Sequence, residues 1–167
     1  TDRIVPDCIR AWSTQETVSV RRPGSTRPWQ HVLEPLSGYL WLGAKLWSDP
    51  GNLDGEAFNF GPGPQQDMTV ADLLETMANR WPGATWQVPE GDAATEREAT
   101  LLRLSCDKAL RQLDWHAVMQ FPSTVALTID WYRAWQDGGV DLHDFTVSQI
   151  EQYMDIARAA GVSWSNE

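Results

Sequence analysis

The sequence predicts a helix-rich α/β chain, mixed α+β in arrangement, with residues 1–167 forming one domain. Three observations predict it. Two long amphipathic stretches, 122–136 and 145–160, follow each other near the end and are parted by Gly138-Gly139. Short runs at 18–21 and 57–60 have the alternation or apolar density of strands. A 42% apolar content over 167 residues is enough to bury roughly two-thirds of the unfolded surface in one core.

In chain order, residues 4–15 read as a first helix, 18–21 as a short strand from the Val-Ser-Val alternation, and Pro23-Gly24-Ser25 as a turn. Residues 29–33 are strand-like. Leu36, Leu40, Ala44 and Trp47 then recur at four- and three-residue spacing, with Tyr39 and Leu46 flanking them. This is one apolar face of a helix that stops at Asp49-Pro50-Gly51. Residues 57–60 read as a buried strand broken by Gly61-Pro62-Gly63-Pro64. Asp67 or Thr69 caps a helix that reaches about Trp81, before Pro82-Gly83. Residues 85–88 and 101–104 are short strands, and Ser105 or Cys106 opens a helix through Leu113.

The formal charge of −10 is unevenly spread. Through His31 there are five arginines against three acidic residues, a net +2, which leaves −12 for the remainder. Lys45 and Lys108 are the only lysines. Arginines gathered in one stretch of an acidic chain suit one small anion and not a nucleic-acid track. No apolar run reaches the roughly 18–20 residues of a membrane helix, and the first residues do not resemble a signal peptide. A cytoplasmic protein is expected. Cys8 and Cys106 are the only cysteines, and no Cys or His cluster has zinc-ligand spacing.

Catalytic signatures are missing. Gly61-Pro62-Gly63-Pro64 has two prolines where a dinucleotide loop needs amide donors, and it lacks the third glycine of that fingerprint. A tyrosine with a lysine four residues on would present an acid and its proton-relay partner on one helix face. Tyr39 is followed at that distance by Gly43, Tyr132 by Gln136 and Tyr153 by Ala157. There is no Gly-x-Ser-x-Gly elbow, phosphate loop or His-Glu-x-x-His.

Four passages carry a family resemblance. They are Arg3-Ile4-Val5-Pro6-Asp7, the run from Arg27 through Pro28-Trp29-Gln30-His31-Val32 to Tyr39, the stretch from Ala57 to Pro62, and the stretch from Glu98 through Lys108-Ala109 to Trp115. In these the chain resembles the second half of a CDP-glucose 4,6-dehydratase, an extended short-chain dehydrogenase/reductase. The resemblance implies the C-terminal portion of that fold, with short strands and no complete Rossmann domain. It also implies a parent that uses NAD to convert CDP-glucose to CDP-4-keto-6-deoxy-glucose. The nicotinamide site and the catalytic tyrosine and lysine would lie in a cofactor-binding half that this chain lacks. The chain alone would then be inactive and hold no cofactor, and its partners would be a CDP-sugar and the missing half.

Carried over residue by residue, Arg27 matches the family's diphosphate-contacting arginine; a helix-terminal salt bridge is the other reading. Arg3 and the backbone around Val5 and Pro6 match a segment bordering the nucleotide, where a plain surface arginine is equally consistent. Arg21 sits where the family places a base- or ribose-contacting residue. Gln30 and His31 face the sugar-phosphate or serve as satisfied core groups, and Asn59 orients the pocket or is a buried structural amide. Arg97 stands where the family has a histidine, so it meets an anion without that histidine's role.

Two other classes of function are open to the sequence. Ten tryptophans suit a carbohydrate- or nucleotide-binding module that stacks on sugars or bases, although Trp12, Trp41, Trp47, Trp81, Trp115, Trp131 and Trp135 sit at helical positions that favour packing. An assembly role is the third reading. Residues 29–33 and 57–60, with the helix between them, are expected to pack against the missing half, so the isolated chain is expected to self-associate or be marginally stable.

Overall fold

A computed structural model of the chain describes residues 3–48, 51, 53–63, 66–89 and 104–165. In order, the elements are α1 (Ile4–Ser13), β1 (Val18–Ser19), β2 (Thr26–Arg27), α2 (Leu33–Ser48), β3 (Met68–Thr69), α3 (Val70–Ala78), β4 (Trp86–Gln87), α4 (Asp107–Leu113), α5 (Phe121–Asp137) and α6 (Leu142–Ala160). A 3-10 turn at Ser163–Ser165 follows. Among the described residues the strands form two separate pairs. β1 runs parallel to β4, with Val18 opposite Trp86, and β2 runs antiparallel to β3, with Thr26 opposite Thr69. Neither pair closes into a larger sheet, so the helices carry the fold.

Local chemistry sets the helix ends. Thr69 caps α3 through a reciprocal box: its hydroxyl accepts from the Asp72 amide at 3.1 Å, and its amide donates to the Asp72 carboxylate at 2.7 Å. Asp141 caps α6, accepting from the His143 amide at 2.8 Å. That acceptor starts the helix three residues before the expected position 145. Pro122 stands in the first turn of α5, where the lost amide would have no helical partner. Gly138 and Gly139, at φ +64° and +88°, reverse the chain between α5 and α6 in a conformation costly to other residues. The α4 N-cap is Cys106 with no side-chain cap bond; Ser105 does not cap it.

α1, α3 and α5 share the main core, where Cys8, Ile9, Leu74, Met77, Val125 and Ile129 are almost wholly enclosed. Full burial of one such aliphatic side chain contributes about 1.5–3 kcal/mol. A second core joins α2 to α4 through Trp41, Phe60, Ala109, Leu113 and Trp115. Met119, Leu127 and Tyr153 link α5 and α6 to both.

Two expected strands are not formed. Residues 29–31 and 57–60 form no ladder, Val32 lies in a turn and Leu33 opens α2, and side chains take acceptors a ladder would use. The Trp29 indole donates to Met68 O at 3.0 Å, Gln30 Nε2 to Phe60 O at 3.1 Å, and Lys108 Nζ to Ala57 O at 2.9 Å. Pro28 also removes a backbone donor just where the β2 ladder ends. The expected strand at 101–104 lies, except for Leu104, outside the described residues.

The apolar face read in α2 does not point into the chain's own core. Glu34, Ser37, Gly38 and Trp41 face inward, and Leu36, Tyr39, Leu40 and Trp47 face outward. Two features fix this setting: amides at Val118 and Met119 that a carboxylate satisfies, and a close approach to Phe60 that only glycine allows.

Candidate functional site

A cavity of about 390 Å3 opens between the start of α1, the 29–33 segment, α3, α5 and α6. That volume lies in the range of small-ligand clefts. Its walls are chiefly apolar, with Val5, Leu73, Ile129 and Tyr132 among them, and Pro6, Trp29, Gln30 and His31 contribute to the lining. Pro6 thus meets the consecutive residues Trp29, Gln30 and His31, all singled out from the sequence, in one place.

Pro6 lies in the first turn of α1. Trp29 is pinned by its indole bond to Met68. Gln30 spends its amide donor on Phe60 O, while its Oε1 is enclosed without a hydrogen-bond partner among the described residues. Such a buried acceptor costs about 1–3 kcal/mol when left unmet. His31 is buried and accepts from the Leu33 amide through Nδ1 at 3.3 Å, which leaves a proton to Nε2 in the neutral ring. Burial pushes its pKa down.

That depression fixes a sign. A base whose folded pKa lies below its ordinary value of about 6.5 contributes its stability fully above that pH, and the contribution falls as pH drops toward the folded pKa. His31→Asn keeps an acceptor for the Leu33 amide but cannot titrate. In paired urea melts, wild type is expected to lose more stability than the variant between pH 7.5 and 5 (chosen to bracket the ordinary value). Parallel losses would mean that His31 is not held neutral. Glu34, one turn on, is present in both proteins and cancels in the comparison.

The other candidates lie outside the cavity. Arg27 is exposed on β2, where its backbone pairs with Met68. Among the described residues its guanidinium meets only Thr26 O, at 2.7 Å. No carboxylate among the described residues ties it down. Arg3 is the exposed N-cap of α1. Arg21 lies just past β1 and is exposed. Asn59 is exposed and donates to Ser105 O at 3.2 Å, so it is not a buried amide. Phe58 and Phe60 stack on the other side of that segment, ring centroids 6.4 Å apart. Arg97 lies outside the described residues.

A polar network that sequence reasoning missed supports the cavity wall. Glu34, only 1% exposed, accepts from the amides of Val118 and Met119, at 3.0 and 2.6 Å, and from the Tyr153 hydroxyl at 3.0 Å. Ser37 Oγ joins it, accepting from Trp115 Nε1 at 3.0 Å and lying 3.0 Å from the Tyr153 hydroxyl oxygen. Burial raises the Glu34 pKa against the pull of its three donors, and burial with the Glu34 charge raises that of Tyr153. The signal was a lone acid in the first turn of an apolar helix.

The residues present do not fit a nicotinamide site. Tyr153, enclosed and bound to Glu34 and Ser37, cannot serve as an exposed acid, and no tyrosine has a lysine four residues on. Cys8 is pushed up to about 12 by burial and by Asp7, so it is no thiolate nucleophile. Trp12, Trp41, Trp81 and Trp115 are buried and cannot stack on a sugar; Trp47 and Trp135, expected to pack, are exposed. No helix among the described residues is long and apolar enough to cross a membrane.

No family model matches the chain. Over 154 residues it is 36% identical to CDP-glucose 4,6-dehydratase from Salmonella typhimurium. The chain is similar to part of that dehydratase. The match takes in 92% of the chain and 42% of the Salmonella dehydratase, so the chain spans less than half the length of this relative. Similarity across nearly the whole chain agrees with a helix-rich piece of an α/β dehydratase fold and disfavours a free-standing carbohydrate module.

Proposed function

We propose that this chain is the substrate-binding part of a CDP-glucose 4,6-dehydratase-like lyase of the short-chain dehydrogenase/reductase type, acting in cytoplasmic deoxysugar biosynthesis. The observation that carries the reading is 36% identity across 92% of the chain. Arg27 grips the diphosphate: its exposed fork of donors has no carboxylate among the described residues, and a planar guanidinium suits two phosphate oxygens at once. Gln30 and His31 lead from it into the cavity, where an enclosed acceptor and a neutral ring N–H suit the polar edge of the nucleotide sugar. Arg3, Arg21, Arg97 and Asn59 supply further polar contacts around the anion. NAD and the tyrosine-lysine pair belong to polypeptide outside this chain, which by itself binds substrate without turning it over.

Calorimetric titration with CDP, with UDP and dTDP as controls, tests the reading. Saturable binding that favours CDP is expected. Arg27→Ala should weaken it by about 1.5–3 kcal/mol, roughly ten- to a hundredfold in Kd. An unchanged Kd in a folded variant removes Arg27 from the site, and no preference for CDP removes the base assignment.

A further inference from the structure

One hydroxyl proton stands between two acceptors in the buried network. Tyr153 Oη lies 3.0 Å from Glu34 Oε2 and 3.0 Å from Ser37 Oγ, and a phenol has a single proton to donate. Which acceptor takes it depends on where the other protons go, and those directions are fixed. Ser37 gives its own proton to Glu34 O, 2.8 Å away on the same helix. Its oxygen accepts from Trp115 Nε1 at 3.0 Å, which leaves one of its two lone pairs. The amides of Val118 and Met119 point at Glu34 Oε1, at 3.0 and 2.6 Å, and cannot turn away.

Two arrangements then satisfy every group. With Glu34 ionised, Tyr153 donates to Oε2, and the spare lone pair of Ser37 is idle. With Glu34 protonated on Oε2, the carboxyl O–H donates to Tyr153 Oη, the phenol proton turns to Ser37 Oγ, and Oε1 keeps both amides. One proton enters from solvent to form the carboxyl O–H and one hydroxyl turns; no heavy atom has to move. A change of charge in a core is destructive when it strands a polar group, and here neither state does. The groups facing Glu34 are the two amides from the connection between α4 and α5, Tyr153 from α6 and Ser37 from α2. Among the described residues no cation holds its charge, and burial raises its pKa.

We propose that the Tyr153 hydroxyl is a two-way proton switch, which lets Glu34 gain and lose a proton inside the folded chain, so that the lock between α2 and α6 tightens in acid. The sign follows from linkage. A carboxyl whose folded pKa lies above its ordinary value of about 4.3 contributes stability that is full below that value and is lost as pH rises through the folded pKa. His31 acts in the opposite direction, since its neutral ring is lost in acid. Leu33, beside Glu34, and Gln149, one turn before Tyr153, line the cavity. Its wall therefore stays assembled while the acid behind it changes charge, whatever the cavity holds.

The test follows both groups by carbon-13 NMR in the full chain, with glutamate labelled at its carboxyl carbon and tyrosine at its phenol carbon. The chain has three tyrosines, and Tyr153→Phe and Glu34→Gln assign the two signals by their absence. Glu34 is expected to titrate above about 4.3 with the native near-UV circular dichroism retained, and the Tyr153 signal to move at the same midpoint. Glu34→Gln, whose amide N–H stands where the carboxyl O–H would, should leave the Tyr153 signal flat over that range. Ser37→Ala removes the second acceptor, so protonation strands the phenol proton. Glu34 should then titrate about 0.5–1 pH lower, the equivalent of one ordinary hydrogen bond. A purely structural network moves neither signal in this way. A Tyr153 signal that ignores the Glu34 titration overturns the proposal. So does an unshifted Glu34 midpoint in a folded Ser37→Ala variant, a wild-type midpoint at or below the ordinary value, or loss of the fold before Glu34 titrates. Should Ser37→Ala not fold, the joint titration in wild type and its absence in Glu34→Gln decide alone.

Discussion

Glu34→Ala is expected to cost the fold about 3–5 kcal/mol, the range seen when one partner of a buried charged network is removed. Three donors lose their acceptor at once: the amides of Val118 and Met119 and the Tyr153 hydroxyl. Two are backbone groups that cannot turn away, and each unmet buried donor costs about 1–3 kcal/mol. Relief of the carboxylate's own desolvation offsets part of this, which is why its pKa is raised. Glu34→Gln keeps one oxygen acceptor and should lose clearly less than alanine. Urea melts of the three proteins decide the matter. A loss below about 1 kcal/mol for the alanine variant, within the range of an ordinary neutral hydrogen bond, would show that water reaches those amides.

Gly38→Ala should be the most damaging one-carbon change in α2. Its Cβ would sit 2.3 Å from a Phe60 ring carbon, and the ring has little room to retreat. Trp115 meets it edge-on with centroids 4.8 Å apart, Tyr39 does so at 5.4 Å, and Phe58 stacks at 6.4 Å. Helix propensity favours alanine by about 1 kcal/mol, whereas overpacking a filled core costs about 1–3 kcal/mol. A contact this short against a wedged ring puts the clash at the upper end, so the net is destabilising by about 1–2 kcal/mol. The same substitution five residues later, at Gly43, carries the opposite sign in the isolated chain. Thermal melts of the pair therefore isolate the clash from propensity, and a Gly38→Ala protein as stable as wild type would mean that Phe60 can leave its slot.

Much of the fold was legible because it depends on short-range chemistry. α1, α3, α5 and α6 follow apolar periodicity and their punctuation: the Thr69–Asp72 box, Pro122, the Gly138-Gly139 break. β1 and β4 fall within the stretches read as strands. What failed depended on partners far along the chain. Nothing local at 29–33 or 57–60 reveals that Trp29, Gln30 and Lys108 will take the carbonyls a ladder would need. Periodicity identified the apolar stripe of α2 correctly but could not say which way it points. That was decided by amides more than eighty residues away, at Val118 and Met119. The site shows the same division. Trp29, Gln30 and His31 were found because they are adjacent in sequence, and Pro6 joins them in space; the Glu34–Ser37–Tyr153–Trp115 network joins α2, α6 and the connection between α4 and α5 and left only the anomaly of one acid in an apolar helix.

The parallel pairing of β1 with β4 bears on when the chain can take shape. Everything that fastens α1 and β1 sideways reaches across a long stretch of sequence. The Trp12 indole donates to Thr85 O, Thr17 and Thr85 share a hydroxyl contact, and Val18 and Val20 amides donate to Thr85 O and Gln87 O. The two threonines are 68 residues apart. Non-local closure of this kind is entropically expensive before it is rewarded and slows folding. During synthesis β1 must therefore wait for the Thr85–Gln87 segment, and Cys8, Ile9 and Trp12 are not fully covered until α5 has also left the ribosome.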